Sequence, residues 1–268
     1  MKAIVHKLDV DTDIILVPFW DLHIGSPKCS YEDVVKRINY VKNTTNAYCI
    51  LGGDLINNST CDSVGDTYAE PLTPQQQINK CIELFTPISD KILGMCSGNH
   101  EQRTYRKSGV DICQCIAAGL GITDRYDATS GVIFLQFGSR TTSVDQDGNI
   151  NKNFNKPIQY TIYFAHGTGS GGRLIGSKVN GVEKRAQIVD TDIVMQGHTH
   201  QPFIAPISSF TVNNNTCTIK QHWQWLVNTD ATLNYEEYAE TVGMRPTAKA
   251  IPRLVLSSSH KSVTGILN

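Results

Sequence analysis

Five short clusters of residues with metal-binding side chains recur through roughly the first two hundred positions of the chain. They offer carboxylate, amide and imidazole groups, and they are Asp21-Leu22-His23, Gly52-Gly53-Asp54, Gly98-Asn99-His100-Glu101, His166-Gly167 and Gly197-His198-Thr199-His200. Oxygen and nitrogen donors without thiolate suit Mn²⁺, Fe, Zn²⁺ or Mg²⁺. Each cluster alone is open to an interpretation as turn or core residues, but five in succession predict a metal site.

Each cluster directly follows an apolar run that predicts a β-strand. These strands are predicted at Ile14–Phe19, Ala47–Leu51, Lys91–Cys96, Ile158–Ala165 and Asp192–Gln196. Amphipathic segments predict helices at Tyr31–Val41, Pro74–Ile88, Val110–Gly119 and Val182–Val189, the first two with N-caps at Ser30 and Thr73. In open α/β sheets, ligands bind outside the carboxyl ends of the strands, so the five clusters are expected to converge on one place.

The remaining pattern is rich in strands. Further strands are predicted at Val132–Phe137, Phe203–Val212, Cys217–Val227 and Arg253–Ser258. The sequence has no internal repeat, low-complexity segment or evident linker. Residues 1–268 are therefore interpreted as one α/β domain with two packed sheets.

Bulk composition excludes some classes of function. Lys and Arg number 24 against 25 Asp and Glu, so no global field attracts nucleic acid or a membrane, although a local basic rim remains open. No pair of the eight cysteines has C-x-x-C spacing, which favours reduced thiols in a cytoplasmic protein over a zinc or redox motif. No apolar run is long enough to cross a bilayer, and no signal peptide is evident.

The order Asp-x-His, Gly-Asp, Gly-Asn-His, His and Gly-His-x-His resembles the calcineurin-like metallophosphoesterases. The motifs run from Asp21 to His200, about two thirds of the chain. The resemblance implies a four-layer α/β sandwich of two mixed β-sheets flanked by helices. It also implies a hydrolase that cleaves a phosphate ester with two divalent metal ions.

The same resemblance assigns the candidate residues. Asp21, His23 and His200 would hold one metal, while Asn99, His166 and His198 would hold the other. Asp54 would bridge the two ions, and His100 would be the non-ligand histidine that faces the phosphate. Mn²⁺ is the expected metal, with Fe, Zn²⁺ and Mg²⁺ as alternatives. Two such cations share a hydroxide and clamp the phosphate oxygens, and His100 can protonate the leaving alkoxide.

Residues near these motifs are candidates for contacts with the metal ligands or with the substrate. Glu101 is expected either to orient a neighbouring ligand or to form a surface salt bridge. Arg103 could grip a phosphate bidentately. The glycine-rich segment after His166 supplies Gly169, Gly171 and Arg173, either as a phosphate cradle or as part of a mobile lid. The polar stretch Ile56–Glu70 is predicted to lie at the edge of the site.

Three hypotheses for function remain at this point. The leading one is a phosphodiesterase or nuclease that acts on nucleotides or nucleic acid. The second is a phosphomonoesterase, which would share every ligand. The third is a binding module that keeps the metals without turnover. The sequence leaves the substrate, the metal and the oligomeric state open.

Overall fold

Two six-stranded mixed sheets, packed face to face, organise the chain. The computed structural model describes residues 1–61, 63, 67–138, 143–144, 150–151, 157–169, 174–235, 243, 245–246 and 248–268. The strands are β1 Lys2–Lys7, β2 Ile14–Phe19, β3 Ala47–Leu51, β4 Ile92–Cys96, β5 Tyr126–Asp127, β6 Ser130–Phe137, β7 Ser143–Val144, β8 Ile150–Asn151, β9 Ile158–Ala165, β10 Ile193–Gln196, β11 Phe203–Asn213, β12 Thr218–Asn228, β13 Pro252–Leu256 and β14 Val263–Leu267. The helices are α1 Tyr31–Asn43, α2 Pro74–Phe85, α3 Asn99–Ser108, α4 Ile112–Gly119 and α5 Ile175–Ala186. Short 3₁₀ segments lie at Thr67–Ala69, Thr86–Lys91 and Thr123–Arg125.

The strand order gives two six-stranded sheets and a separate two-stranded sheet of β7 and β8. Sheet A has the order β1-β6-β9-β10-β12-β11, and sheet B has the order β14-β13-β2-β3-β4-β5. Strands β2 to β5 run parallel, whereas β13 and β14 add antiparallel pairs at the edge of sheet B. Sheet A mixes parallel pairs, such as β9 with β10, and antiparallel pairs, such as β6 with β9.

Successive side chains of a strand point to opposite faces of its sheet, so each inner strand contributes to two layers of the core. In β2, Leu16 lies in the core between the two sheets, and Val17 lies in the core beneath α1, α2 and α4. Val182 and Ala186 of α5 cover the outer face of sheet A. Strands buried on both faces have continuous apolar sequences, as β2 does. The four-layer sandwich of two mixed sheets is confirmed.

Several helix boundaries differ from those expected. Helix α2 has the predicted cap, in which the Thr73 side chain and Gln76 bond reciprocally. It ends at Phe85 rather than Ile88, because Pro87 has no N–H to continue the α-helical bonding. Helix α1 begins at Tyr31 as predicted, but Ser30 makes no side-chain capping bond.

Helix α5 lies closer to the N-terminus than predicted. It spans Ile175–Ala186 instead of Val182–Val189. Gly176 and Gly181 lower its helical propensity, and packing of its buried face on sheet A stabilises it nonetheless. In the part of the chain that the structure describes, every helix is too short or too polar to span a bilayer.

Candidate metal centre

The five clusters lie together at one edge of the sandwich. Three follow β2, β3 and β4 of sheet B, and two follow β9 and β10 of sheet A. Backbone bonds join the loops: Asp21 N donates to the Gly53 carbonyl at 3.1 Å, and Gly197 N donates to the His166 carbonyl at 2.8 Å. The Asp21 carboxylate links the two sheets, because its Oδ2 accepts the His198 backbone N–H at 2.7 Å.

The loops hold most of the candidate ligands in a left-handed backbone conformation. The φ angles are +52° for Asp21, +50° for His23, +51° for Asp54, +67° for His198 and +55° for His200. Such angles are uncommon in non-glycine residues and cost about 1–3 kcal/mol each. Elsewhere in the described ranges, Asn58 and Cys217 share this conformation. Backbone strain is therefore concentrated where the candidate ligands project.

Two glycines let backbone approach the carboxylates closely. A Cβ at Gly98 would lie 2.1 Å from Asp54 Oδ1, and one at Gly197 would lie 2.3 Å from Asp21 Oδ2. Both distances are far inside van der Waals contact. Any side chain at these positions would displace a candidate ligand, which explains the glycine before Asn99 and before His198.

The first candidate set consists of Asp21, His23 and His200, whose donor atoms lie within 4.8 Å of one another. His23 Nδ1 lies 3.2 Å from Asn57 Oδ1, while His23 Nε2 is buried and has no hydrogen-bond partner among the described residues. His200 Nε2 is 3.4 Å from Asp21 Oδ1 but is not aligned as a hydrogen bond. An unsatisfied buried polar atom costs about 1–3 kcal/mol. Asp21 Oδ1, like His23 Nε2, has no hydrogen-bond partner among the described residues. A cation at this point would be bound by both atoms, so the residues fit a metal ion.

The second set converges on the ring of His166. His166 Nδ1 donates to the Gly52 carbonyl at 3.0 Å, which turns Nε2 toward the site. Within hydrogen-bonding range of that Nε2 lie Asn99 Oδ1 at 2.9 Å, His198 Nδ1 at 3.3 Å and Asp54 Oδ2 at 3.3 Å. The donor atoms of this second group also lie within 4.8 Å of one another; the group consists of Asp54, His166 and His198. Asp54 also belongs to a group with His23 and His100, so it lies between the two sets.

The electrostatics of the site favour bound cations. Burial tends to raise the pKa of the fully buried Asp54, but His166 and His100 outweigh it and hold that pKa well below its usual range. Burial tends to lower the pKa of His166, yet Asp54 reverses the effect and raises it to about 10. Burial and nearby His100 lower the pKa of His23 to about 3. These neighbours therefore keep the Asp54 carboxylate ionised, which is the form that binds a cation.

His100 is the second residue of helix α3 and faces the same space. Its backbone N–H donates to Asp54 Oδ1 at 2.8 Å. Its Nδ1 lies 2.6 Å from the Asn57 carbonyl, which fixes the ring with Nε2 toward the site. Arg103, one turn along α3, places Nη2 3.0 Å from that Nε2. Arg106 of the same helix is exposed.

Glu101 is a buried acceptor of backbone N–H groups and not the partner in a surface salt bridge, which was one of its two expected roles. It is buried, and its carboxylate accepts four backbone N–H groups, from Gly98 and Asp54 at 3.0 Å, Leu55 at 2.7 Å and Ile56 at 3.2 Å. Burial and the Asp54 charge raise the pKa of Glu101 to about 7 against these donors. Glu101 thus ties the loop of Asp54 to the start of α3. Its place three residues after Gly98, as in a capping box, was the available signal.

Asn57 is a residue that motif reasoning did not single out. Its side-chain oxygen contacts His23 and its backbone oxygen accepts from His100. Its Nδ2 donates to Glu70 Oε1 at 2.5 Å, and Gln77 Nε2 donates to Glu70 Oε2 at 2.6 Å. The Ile56–Glu70 stretch therefore reaches the site, as its predicted position at the edge requires.

Of the four predicted substrate-binding residues, two lie among the described residues. Arg103 contacts His100, as described above. Gly169 is exposed in the loop after His166, with φ +90°. In the same loop, Thr168 Oγ1 accepts from Arg185 Nη2 at 3.1 Å. Gly171 and Arg173 lie outside the described residues. The phosphate cradle remains a prediction.

Comparisons with known proteins agree with the motif order. The sequence profile of the calcineurin-like phosphoesterases matches residues 21–202, which include all five clusters. None of the curated proteins matches the sequence. Similar solved structures include a predicted phosphoesterase from Streptococcus pneumoniae TIGR4, at 14% identity and TM-score 0.33, over 97% of this chain and 100% of that one. They also include a Vps29 double mutant from Entamoeba histolytica, at 9% identity and TM-score 0.42, over 95% of this chain and 99% of that one. Wild-type Vps29 complexed with zinc, from the same organism, gives 10% identity and TM-score 0.37 over 95% and 98%.

Proposed function

The chain belongs to the calcineurin-like phosphoesterase family, and we propose that it is a metal-dependent phosphodiesterase or nuclease that acts on nucleotides or nucleic acid. The observation that supports this most is the convergence of two donor sets around Asp54, with a buried His23 nitrogen that has no hydrogen-bond partner in the described part of the chain. A cytoplasmic location is part of the proposal, because the cysteines of the described residues form no disulfide with one another and unpaired thiols are typical of reducing compartments.

Two divalent cations fit the two donor sets. Asp21, His23 and His200 would hold one ion, and Asn99, His166 and His198 the other, with Asp54 shared. All donors are nitrogen or oxygen, which suits Mn²⁺ first, with Fe, Zn²⁺ and Mg²⁺ as alternatives. When bound, such a pair supplies Lewis-acid activation of water and neutralises charge on the phosphate oxygens.

The chain's own residues would complete the chemistry. The Asn57 carbonyl accepts from His100 Nδ1 and turns Nε2, which lies beside Arg103, toward the site. In the protonated ring this Nε2 would give its proton to the leaving oxygen. Arg103 beside it can donate two N–H groups to a phosphate oxygen pair. Glu101 fixes the backbone that presents Asp54 and restricts its movement during turnover.

Basic side chains on two sides of the site support a diester over a small monoester. Arg103 and Lys107 lie on α3, and Arg185 of α5 reaches the loop that follows His166. A diester in a nucleic acid extends past the scissile phosphate and carries further negative charge on both sides. Cations flanking the centre would contact those neighbouring phosphates.

A rate comparison on a chromogenic phosphodiester and its matching monoester tests the proposal. The protein is stripped of metal and reloaded with Mn²⁺, with Asp54→Asn as the inactive variant. Asp124→Asn is the matched control, because Asp124 is 74% exposed and away from the site. Faster diester cleavage that requires both Mn²⁺ and Asp54 is expected. A preference for the monoester would instead indicate a phosphatase, and bound metal without turnover on either ester would indicate a binding module.

A further inference from the structure

The hairpin of β11 and β12 projects beyond the rest of sheet A as a two-stranded ribbon. Strand β12 pairs with β10 only over Trp225–Asn228, whereas it pairs with β11 along the full length of both strands. Within the described ladders, residues 207–213 and 218–224 therefore pair only with each other. An isolated two-stranded ribbon is at best marginally stable in water. This ribbon needs support from one of its faces.

One face of the ribbon is polar and the other is apolar. Residues directly opposite each other in an antiparallel pair share a face. Ser209 with His222, Thr211 with Lys220 and Asn213 with Thr218 form the polar face. The other face has four large apolar side chains, exposed by 74% at Phe210, 65% at Val212, 68% at Ile219 and 53% at Trp223. This face also has two polar residues, and Gln221 Nε2 donates to Ser208 Oγ at 3.1 Å.

This apolar face continues the inner face of sheet A. Farther along the same face, Ile204, Trp225 and Val227 pack in the core between the sheets. Edge strand β14 of sheet B lies against this region, since Gly265 contacts Ile204 and Trp225. Beyond β14, sheet B ends and the ribbon continues uncovered by other described strands. Its surface has the character of a sheet-to-sheet interface without the second sheet.

We propose that a second copy of this chain covers the face, with the two ribbons packed against each other about a two-fold axis. At about 150–250 Å² for a whole aromatic side chain, the four exposed side chains present roughly 500 Å². Two such patches bury about 1,000 Å², the lower limit of a specific interface. The face has no charged residue along either strand, so self-association places no like charges together. The inference is independent of the metal centre and of the reaction.

Sedimentation equilibrium of the metal-loaded full chain tests the proposal. A mass twice the chain's 29.6 kDa is expected at micromolar concentration. Phe210→Asp would place an unpaired carboxylate inside the interface and is expected to raise the dimer dissociation constant more than about 100-fold. Ser209→Asp is the matched control, because the adjacent Ser209 points to the polar face and its variant should remain dimeric.

Tryptophan fluorescence gives a second readout. Trp223 becomes buried on association, so its emission should shift to shorter wavelength with rising protein concentration. Trp223→Phe should remove that shift, since Trp20 is already fully buried and Trp225 lies against the core. A wild-type chain that stays monomeric would overturn the proposal. So would equal effects of the two Asp variants, or growth to open-ended oligomers instead of a closed dimer.

Discussion

Replacing Glu101 with Gln should destabilise the protein although the two side chains have nearly the same shape. Each oxygen of Glu101 accepts two backbone N–H groups: Leu55 and Ile56 on Oε1, Gly98 and Asp54 on Oε2. In Gln, one of these oxygens becomes an NH₂ group, which cannot accept. Two buried donors then lose their acceptor, at about 1–3 kcal/mol each, so we expect a loss of about 2–6 kcal/mol of unfolding free energy.

The assay is urea denaturation of the metal-free protein, followed by metal titration. The measurement is made about one pH unit above the Glu101 pKa of about 7, so that the wild-type carboxyl is ionised. Metal affinity should also fall by about 10–100-fold, because the Asp54 loop is no longer held. Glu83→Gln is the control: Glu83 is 67% exposed in its pair with Lys80, and a change within about 0.5 kcal/mol is expected there. Unfolding free energy and metal affinity equal to wild type in Glu101→Gln would refute the positioning role.

Three further perturbations test individual contacts of the structure. Asn57→Ala removes the partner of His23 Nδ1 and should weaken metal binding by about 10–100-fold in calorimetric titration; unchanged affinity would contradict it. Asp230→Ala leaves Arg37 buried without its 2.7 Å partner and should cost about 3–5 kcal/mol in urea denaturation, whereas Arg37→Met with Asp230→Leu should recover most of it. A double variant as unstable as the single one would count against this. Burial lowers the pKa of His6 below 6.5, so its stabilisation is complete above pH 6.5 and is lost as pH falls, because the unfolded chain then binds more protons. His6→Gln should flatten the acid side of the stability curve, and an unchanged curve would show that other groups set it.

The parts of the fold visible in the sequence are those whose local pattern and tertiary environment agree. Strands β2 and β3 were predicted with the bounds that the structure has, because both are continuous apolar runs. Helix α3 was not predicted as a helix, since Glu101 is its one buried side chain and no apolar stripe marks it. Strands β1 and β14 were missed for a similar reason: each lies at a sheet edge and is largely exposed.

The residues of the candidate site also fall into two groups: those that local sequence features reveal and those that only the tertiary fold brings into contact. The candidate ligands are found from the sequence because their order and their place after strands are local features. The support around them is not local: Asn57 contacts His23, 34 residues away, and His100, 43 residues away. Such partners are fixed by the tertiary fold, so no spacing rule reveals them. Glu101 lies within a motif, but its four backbone donors become evident only once two loops are brought together.

Strand β13 returns the chain to sheet B near the end of the sequence, and this delays one strand pairing during synthesis. Strand β2 leads into the loop with Asp21 and His23, and its outer edge is covered by β13, which pairs Leu254 with Leu16. Local pairings such as β11 with β12 can form early, whereas this pairing must wait for distant residues. While a ribosome is still producing sheet A, the nascent chain thus exposes an unpaired apolar strand beside its first candidate metal ligands. An open edge of this kind is a site for misassociation, which only the late strand β13 removes.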